Sequence, residues 1–257
     1  MRVRIVVRLS MRLRILAYHA IADLSDDPVL AEYGVPPRLF AAQLDGLVGA
    51  GWSFVGLDTV LAALAGERVL PRKALLLSFD DAYADLLEAG VPIMAERGLP
   101  GVVFAVAGQI GGTNEWDNKI RATTLDLLDA DGLRAVAAQG IEVGSHTISH
   151  RPLTKVPEVE LEEEIAGAAD RLEQAGLPRP RAFSYPYGEW SPPIAEVARA
   201  AGYRASFTVE PGVVTGKSDP HVLPRIEVHA SDTPRRLRRK LRMAGWRRLV
   251  PVRFMHQ

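Results

Sequence analysis

Ala74-Leu75-Leu76-Leu77-Ser78-Phe79-Asp80-Asp81 is an apolar run that ends in two adjacent carboxylates. An unbroken apolar run of this length is typical of a strand buried on both faces of a parallel sheet. In an α/β barrel, the carboxyl ends of the strands carry the functional side chains. The stretch therefore predicts an α/β fold with Asp80 and Asp81 at the functional edge of the sheet. As an alternative, two acids at a strand end can form a turn or a helix N-cap.

A second segment, Ser145 to Pro152, contains two imidazoles four residues apart, His146 and His150. One carboxylate and two neutral imidazoles form a ligand set for a divalent ion that leaves positions open for water and substrate. The other carboxylate of the acidic pair is then free to act as a general base. A histidine pair at this spacing can also be a surface pair on a helix. The combination with the two acids favours a metal site.

Apolar and turn-forming segments alternate along the rest of the chain, as in a wound α/β fold of one domain over residues 1–257. The segment Leu161 to Glu164, with Arg171, is interpreted as a solvated helix face. The longest gap between predicted elements, from Gly108 to Thr123, predicts a loop that forms a wall of the substrate site. Strands are predicted at 12–18, 53–56, 74–79, 101–107, 141–144, 182–185, 204–208 and 222–228, and helices at 37–50, 58–65, 83–97, 124–138, 158–175 and 191–201.

Composition narrows the class of protein. The 257 residues are 47% hydrophobic and 24% charged, enough to bury the core of one domain, and the absence of cysteine excludes a disulfide framework or a thiolate site. No uncharged apolar stretch reaches ~18 residues, so we expect no transmembrane helix. Arginines interrupt the apolar residues from Arg2 to Arg14, so we expect no cleaved signal and a cytoplasmic protein, or one held at the inner face of the membrane. Met11 is a second candidate start, which would make residues 1–10 a poorly ordered extension.

The formal net charge of zero conceals a basic C-terminal segment. Residues 235–257 contain nine Lys or Arg and no acid, interleaved with apolar side chains. A basic amphipathic segment of this kind is typical of peripheral contact with an anionic membrane surface or an acidic partner. The alternative is a C-terminal helix packed on the acidic outside of the barrel. Nucleic acid is not expected as a partner, because the rest of the chain is acidic and no aromatic stacking pattern accompanies the arginines.

These motifs resemble those of the polysaccharide deacetylase family, the NodB-homology group of carbohydrate esterases. Ser78 to Asp81 matches the family's first motif, Thr/Ser-Phe-Asp-Asp-Gly, with Ala82 in place of the glycine. His146 to His150 matches the second motif, His-Ser/Thr-x-x-His-Pro, with Arg151 inserted before the proline. Ser184 to Gly188 matches the third motif, Arg-x-Pro-Tyr, in part. The resemblance implies a single distorted (β/α) barrel with about seven parallel strands.

Carried over by position, the resemblance implies that Asp81, His146 and His150 hold a divalent metal. Zn²⁺ is the first expectation, with Co²⁺, Ni²⁺ and Fe²⁺ as alternatives. Asp80 would be the general base, and the backbone N–H of Tyr187 would stabilise the oxyanion. The implied activity is N-deacetylation of an N-acetylated carbohydrate, whether polysaccharide, oligosaccharide or glycolipid precursor, with release of acetate. A metal-dependent amidase acting on a small non-sugar amide and a non-catalytic carbohydrate-binding relic of the fold remain as alternatives.

Two departures from the family pattern move residue roles to other positions. Ser184 stands where the family has an arginine that pairs with the base, and Arg225 is the candidate replacement. The family's C-terminal catalytic histidine has a loose counterpart in His229, whereas Ile15 to Ile21 resembles the first strand of poly-N-acetylglucosamine deacetylases, a circularly permuted branch in which that strand brings the histidine. On this resemblance His19 is the general acid. The residues alone indicate the same position less sharply, since His19 ends an apolar run before an acidic turn.

Overall fold

Residues 11–244 are described by the computed structural model, and the nine strands within them form one sheet. The strands are β1 (Arg12–Tyr18), β2 (Ser53–Phe54), β3 (Ala74–Phe79), β4 (Gly101–Ala105), β5 (Ile141–Ser145), β6 (Ala182–Ser184), β7 (Ala205–Phe207), β8 (Val214–Thr215) and β9 (Ile226–Glu227). Seven run parallel in the order β9-β1-β3-β4-β5-β6-β7, while β2 adds to β3 in the same direction and β8 runs antiparallel to β1. A parallel bridge from Phe207 to Leu223 brings the segment before β9 onto β7, so the sheet curls round on itself. The predicted distorted (β/α) barrel is confirmed.

Helices and helical turns connect the strands. The helices are α1 (Pro37–Val48), α2 (Leu57–Leu64), α3 (Val91–Ala95), α4 (Ala130–Ala138), α5 (Glu158–Glu162), α6 (Ala168–Gln174), α7 (Pro192–Ala200) and α8 (Pro234–Met243). A π-helical turn, Leu86–Gly90, precedes α3, and a second, Glu163–Gly167, joins α5 to α6. Within residues 11–244, no helix is both long and apolar enough to span a bilayer.

The buried strand that decides the fold is apolar on both of its faces. Leu75, Leu77 and Phe79 belong to one cluster of the core, and Ala74 and Leu76 belong to another. Successive side chains of a strand point to opposite faces, so a strand with a core on each side has no polar alternation. Burial of each large apolar side chain stabilises the fold by roughly 1.5–3 kcal/mol. The apolar run is thus explained by two-sided burial.

Several predicted elements differ from the observed ones at their ends, and two begin four or more residues later than predicted. The predicted helix at 124–138 begins at Ala130, because the Asp129 carboxylate accepts a hydrogen bond from Gly132 N at 2.7 Å and caps the helix there. The predicted strand at 222–228 pairs with β1 through Ile226 and Glu227. Pro224 has no N–H with which to continue a ladder, which explains the shorter strand.

The solvated face predicted at Leu161 to Glu164 is wrong for two of its members. Leu161 is 6% exposed and Glu164 is 5% exposed. The prediction treated consecutive residues as one face, whereas residues on one face of a helix recur every three or four positions. Leu161, Glu164, Ile165 and Ala168 have that spacing, and all four are buried. Leu161 and Glu164 therefore lie on the buried face of the helix, while Glu162 and Glu163 meet water.

The first part of the basic segment 235–257 is a packed helix. Leu237 and Leu241 of α8 are fully buried in the core, where α8 lies against α1. The Thr233 hydroxyl caps the helix by accepting a hydrogen bond from Arg236 N at 3.3 Å. The apolar side of this part is therefore not available to a membrane surface. The remainder of the segment, residues 245–257, and the predicted extension at residues 1–10 lie outside the described residues.

Candidate active site

Strand ends bring the predicted site residues together. β1 and β3 pair with Tyr18 opposite Phe79, and the backbone N–H of Asp80 donates to the Tyr18 carbonyl at 2.9 Å. His19 and Asp80 therefore follow neighbouring strands at the same edge of the barrel. His146 comes directly after β5, two strands further round. The carboxyl edge of the parallel sheet carries the site, as the sequence predicts.

Asp81, His146 and His150 lie close enough to hold one ion. Their ligand atoms all lie within 4.8 Å of one another, and Asp81 Oδ1 is 3.2 Å from His150 Nε2 and 3.6 Å from His146 Nε2. All three side chains are buried, and Asp81 Oδ1 has no hydrogen-bond partner within residues 11–244. A buried carboxylate oxygen left in this state is costly, and a bound cation would satisfy it. The donor set fits a divalent cation.

A hydrogen bond on the far side of its ring orients His146. Its Nδ1 lies 2.7 Å from the Ser184 carbonyl oxygen, so Nδ1 carries the proton and donates it. Burial lowers the pKa of His146 to about 4, which keeps the ring neutral at pH 7. The lone pair of Nε2 then faces Asp81. A neutral imidazole fixed in this way is what a metal ligand requires.

The backbone around the site is in the left-handed conformation at several residues. Such a conformation costs non-glycine residues about 1–2 kcal/mol each and concentrates at functional sites. Of the six non-glycine residues with positive φ in the described chain, five belong to the site motifs: Asp81 (70°), Ala82 (59°), Thr147 (69°), His150 (57°) and Tyr187 (58°). Ala82 stands where the resemblance expects glycine, and its positive φ explains that preference.

Asp80 is held by a bidentate ion pair with Arg225. The Arg225 Nη1 and Nη2 atoms each lie 2.7 Å from an oxygen of Asp80, and the guanidinium is fully buried. Its other N–H groups donate to Ser78 Oγ at 3.2 Å, Ser184 Oγ at 2.8 Å and the Thr208 carbonyl at 2.8 Å. All five donors therefore have acceptors, which offsets the cost of burying the charge. The arginine that the sequence placed near Asp80 lies there.

The charges around the two acids keep both ionised. Burial by itself raises the pKa of Asp80, but Arg225, His146 and His19 together hold it below its ordinary value. Burial acts in the same direction on Asp81, but His150, His146 and His19 hold the pKa of that carboxyl below its ordinary value as well. Both carboxylates are available as anions at neutral pH. They differ in their neighbours, because Asp80 faces a guanidinium and Asp81 faces imidazoles.

His19 lines the same pocket as the two acids, with its Nδ1 buried and without a hydrogen-bond partner in the described part of the chain. The ring of Tyr33 packs edge-on against it at 4.9 Å between centroids. His229 lies beyond Tyr33, where its Nδ1 is 3.5 Å from a carboxylate oxygen of Glu32. The structure thus places His19 beside the candidate metal ligands and His229 further out.

The pocket above these residues has a volume of about 1170 Å³. The loop from Gly108 to Thr123 contributes Trp116, whose ring lies 4.4 Å from that of His150, so this loop does wall the site. Tyr187 lies against His150 with 4.8 Å between ring centroids and remains 46% exposed. Sequence reasoning did not single out Trp116. An aromatic residue in the middle of a long loop at the barrel edge was the available signal.

Comparisons with known proteins were consistent with this geometry. The family model described as polysaccharide deacetylase matches residues 67–206. A poly-beta-1,6-N-acetyl-D-glucosamine N-deacetylase of Staphylococcus aureus is 22% identical over 211 residues, which cover 79% of this chain and 70% of that protein. Among solved structures, IcaB from Ammonifex degensii is 27% identical with a TM-score of 0.76, covering 90% of this chain and 97% of that one. The Streptococcus pyogenes deacetylase PplD in complex with acetate has the same fold, at 21% identity and a TM-score of 0.76 over 90% of this chain and 98% of that one.

The family match covers more than half of the chain and includes the first and second motifs with all three candidate metal ligands. Resemblance of motifs, barrel topology and site geometry therefore agree with one another. This chain belongs to the polysaccharide deacetylase family.

Proposed function

We propose that this protein is a metal-dependent N-deacetylase that removes acetyl groups from an N-acetylated carbohydrate. The observation that carries the proposal is the Asp80–Arg225 pair directly beside the group Asp81, His146 and His150. One carboxylate is committed to a guanidinium, and the other faces two imidazoles. Asp80 can therefore act as the base while Asp81 acts as a metal ligand. The name of the Staphylococcus aureus relative supports an N-acetylglucosamine substrate.

Asp81, His146 and His150 would hold the divalent ion. Imidazole and carboxylate donors suit Zn²⁺, Co²⁺, Ni²⁺ and Fe²⁺, with Zn²⁺ as the first expectation. When bound, such an ion supplies Lewis-acid chemistry that polarises the acetamide carbonyl and makes water a stronger nucleophile at neutral pH.

The remaining groups move the protons. Asp80 takes a proton from the attacking water while the water oxygen bonds to the carbonyl carbon. Arg225 keeps Asp80 ionised for that step. The backbone N–H of Tyr187 donates to the carbonyl oxygen as negative charge develops there. His19 gives a proton to the nitrogen as the carbon–nitrogen bond breaks. The products are acetate and a free amine.

The pocket can receive more than an acetamide group. Its volume of about 1170 Å³ exceeds that of a site shaped for a small amide, and ligand pockets usually span roughly 300–1,000 Å³. Trp116 and Tyr187 lie against His150 and present aromatic surface beside the candidate ligands. Flat apolar faces next to polar groups suit a pyranose ring, which has both kinds of surface. These features support a carbohydrate over a small amide.

The proposal is tested by acetate release from N-acetylglucosamine oligomers before and after treatment with a chelator. We expect chelation to abolish release and one of Zn²⁺, Co²⁺, Ni²⁺ or Fe²⁺ to restore it. Release from simple acetamides without release from any sugar would instead support the amidase. Stoichiometric metal without turnover of either substrate class would support the non-catalytic relic.

A further inference from the structure

Glu164 is a buried carboxylate aimed at the turn that carries His146 and His150. It is 5% exposed and lies on the π-helical turn Glu163–Gly167. Its Oε2 accepts hydrogen bonds from the backbone N–H groups of Ile148 at 3.2 Å and Ser149 at 3.1 Å. These are the two residues that lie immediately before His150. One carboxylate oxygen therefore fixes the backbone between the two candidate ligands.

The second oxygen of Glu164 holds the side chains that flank His150. Its Oε1 accepts from Ser149 Oγ at 2.6 Å and from Arg151 Nη2 at 2.9 Å and Nε at 3.2 Å. Arg151 is also paired with Glu160 at 2.7 Å, so the guanidinium links the helix to the turn at two places. A charged acceptor with this many donors makes stronger hydrogen bonds than a neutral one. The arginine inserted into the second motif thus has a structural partner.

The turn between the ligands is strained and needs such a clamp. Thr147 and His150 both have positive φ, at 69° and 57°. Each left-handed residue costs about 1–2 kcal/mol, and such a conformation persists when surrounding contacts determine it. Within the turn, Thr147 Oγ1 accepts a hydrogen bond from the His150 N–H at 3.0 Å. Glu164 supplies the contacts from outside the turn, since it satisfies the two N–H groups between these residues.

We propose that Glu164 is a positioning residue that holds His150 in its ligating geometry relative to His146 and Asp81. The inference rests on the proposed function, in which these three residues bind the metal. Outer groups that orient metal ligands typically contribute about 10- to 100-fold to metal affinity. Removal of the carboxylate would let the strained turn relax and would move His150 away from its two partners. Metal affinity would fall although no ligand was replaced.

The test compares Glu164→Ala and Glu164→Gln with the matched control Glu163→Gln. Glu163 is the preceding residue of the same π-helical turn, but its side chain is 70% exposed and lies 3.8 Å from Arg171 at the surface. Affinity for Zn²⁺ is measured by competition with a chromogenic chelator, and the visible spectrum of the Co²⁺-loaded protein reports the ligand geometry. We expect Glu164→Ala to lose about 10- to 100-fold in affinity and to change the Co²⁺ spectrum. Glu164→Gln should lose less, because its amide oxygen can still accept from the backbone, and Glu163→Gln should match the wild type.

The outcomes separate this inference from the proposed function. Wild-type protein that binds none of Zn²⁺, Co²⁺, Ni²⁺ and Fe²⁺ would overturn the proposed function and with it the premise of the inference. The inference alone would be overturned if the wild type bound Zn²⁺ normally and Glu164→Ala had a Zn²⁺ affinity within twofold of it and an unchanged Co²⁺ spectrum. This would hold even if the variant melted at a lower temperature. If Glu164→Ala does not fold, Ser149→Ala removes one donor to the same carboxylate. The inference would then be contradicted if Ser149→Ala and Glu164→Gln both bound Zn²⁺ as tightly as the wild type.

Discussion

Arg225 holds both carboxylate oxygens of Asp80 at 2.7 Å, although the two residues are 145 positions apart in the chain. Arg225 lies between the bridge at Leu223 and strand β9, on the segment that closes the barrel between β7 and β1. The resemblance places the partner of the base at Ser184 on β6 instead. Here Ser184 is small, and its hydroxyl accepts from Arg225 at 2.8 Å. The same charge reaches the base from a different strand.

Replacement of Arg225 by Gln should affect both stability and the pH profile. Removing one partner of a buried ion pair typically costs about 3–5 kcal/mol. The wild-type pair lowers the pKa of Asp80 in the folded state below its ordinary value of 3.8. The stability that the pair contributes is therefore present above pH 3.8 and is lost as pH falls through the lower pKa of the folded state. Without the guanidinium, burial dominates and the pKa of Asp80 rises, so the acid limb of kcat/KM should move to higher pH. Rate profiles and thermal melts measure the two effects. An acid limb that does not move would contradict the role of Arg225.

Asn substitutions of the two adjacent acids should have different effects. Asp80→Asn should abolish turnover and leave metal bound, because Asp80 pairs with Arg225 and not with the imidazoles. Asp81→Asn should weaken metal binding itself, because it removes the charge that faces His146 and His150. Metal content by elemental analysis and acetate release are measured on the same preparations. Equal loss of metal in both variants would contradict the division between base and ligand.

His19 and His229 provide a matched pair of alanine variants. A general acid typically contributes about 10²- to 10⁴-fold in rate, so His19→Ala should lose activity by that order and keep its metal. His229→Ala should stay near the wild type, because His229 lies beyond Tyr33 and pairs with Glu32. The measurement is kcat on an N-acetylated oligosaccharide at saturating metal. A large loss in His229→Ala with little loss in His19→Ala would reverse the assignment of the acid.

The parts of the site that the sequence predicted are those fixed by local pattern. Asp80 and Asp81 were predictable because an apolar run stops at them, and His146 and His150 because their spacing is short and their residue type is chemically distinctive. Parallel pairing then brings these strand ends to one edge without further information. The placement of His19 follows from the same rule.

The parts that the sequence did not predict depend on contacts between separate segments. Glu164 is an acid on the buried face of its helix, and the backbone N–H groups of Ile148 and Ser149 that compensate its burial belong to another segment. For the basic residues of α8, a membrane surface and a packed helix were both open, because the same apolar stripe fits either surface. The structure shows a packed helix, because Leu237 and Leu241 are buried in the core where α8 lies against α1.

Asp85 should make the folded protein less stable as pH rises towards neutrality. Its carboxylate accepts a hydrogen bond from the backbone N–H of Ile21 at 2.7 Å and so ties the segment after His19 to the turn before α3. Burial raises the pKa of Asp85 to about 6, from an ordinary value of 3.8. Between these values the folded state binds more protons than the unfolded state, so the free energy of unfolding falls as pH rises through the window. At 1.36 kcal/mol per pH unit, the full difference in the free energy of unfolding is about 3 kcal/mol.

Asp85→Asn keeps an acceptor for Ile21 without the charge, so it should raise the melting temperature at pH 7.5 and have little effect at pH 4. Glu88→Gln removes the neighbouring charge that helps to raise the pKa of Asp85, and it should shift the pH dependence slightly towards lower pH. An equal change in melting temperature for Asp85→Asn at both pH values would show that the carboxylate does not titrate in this window.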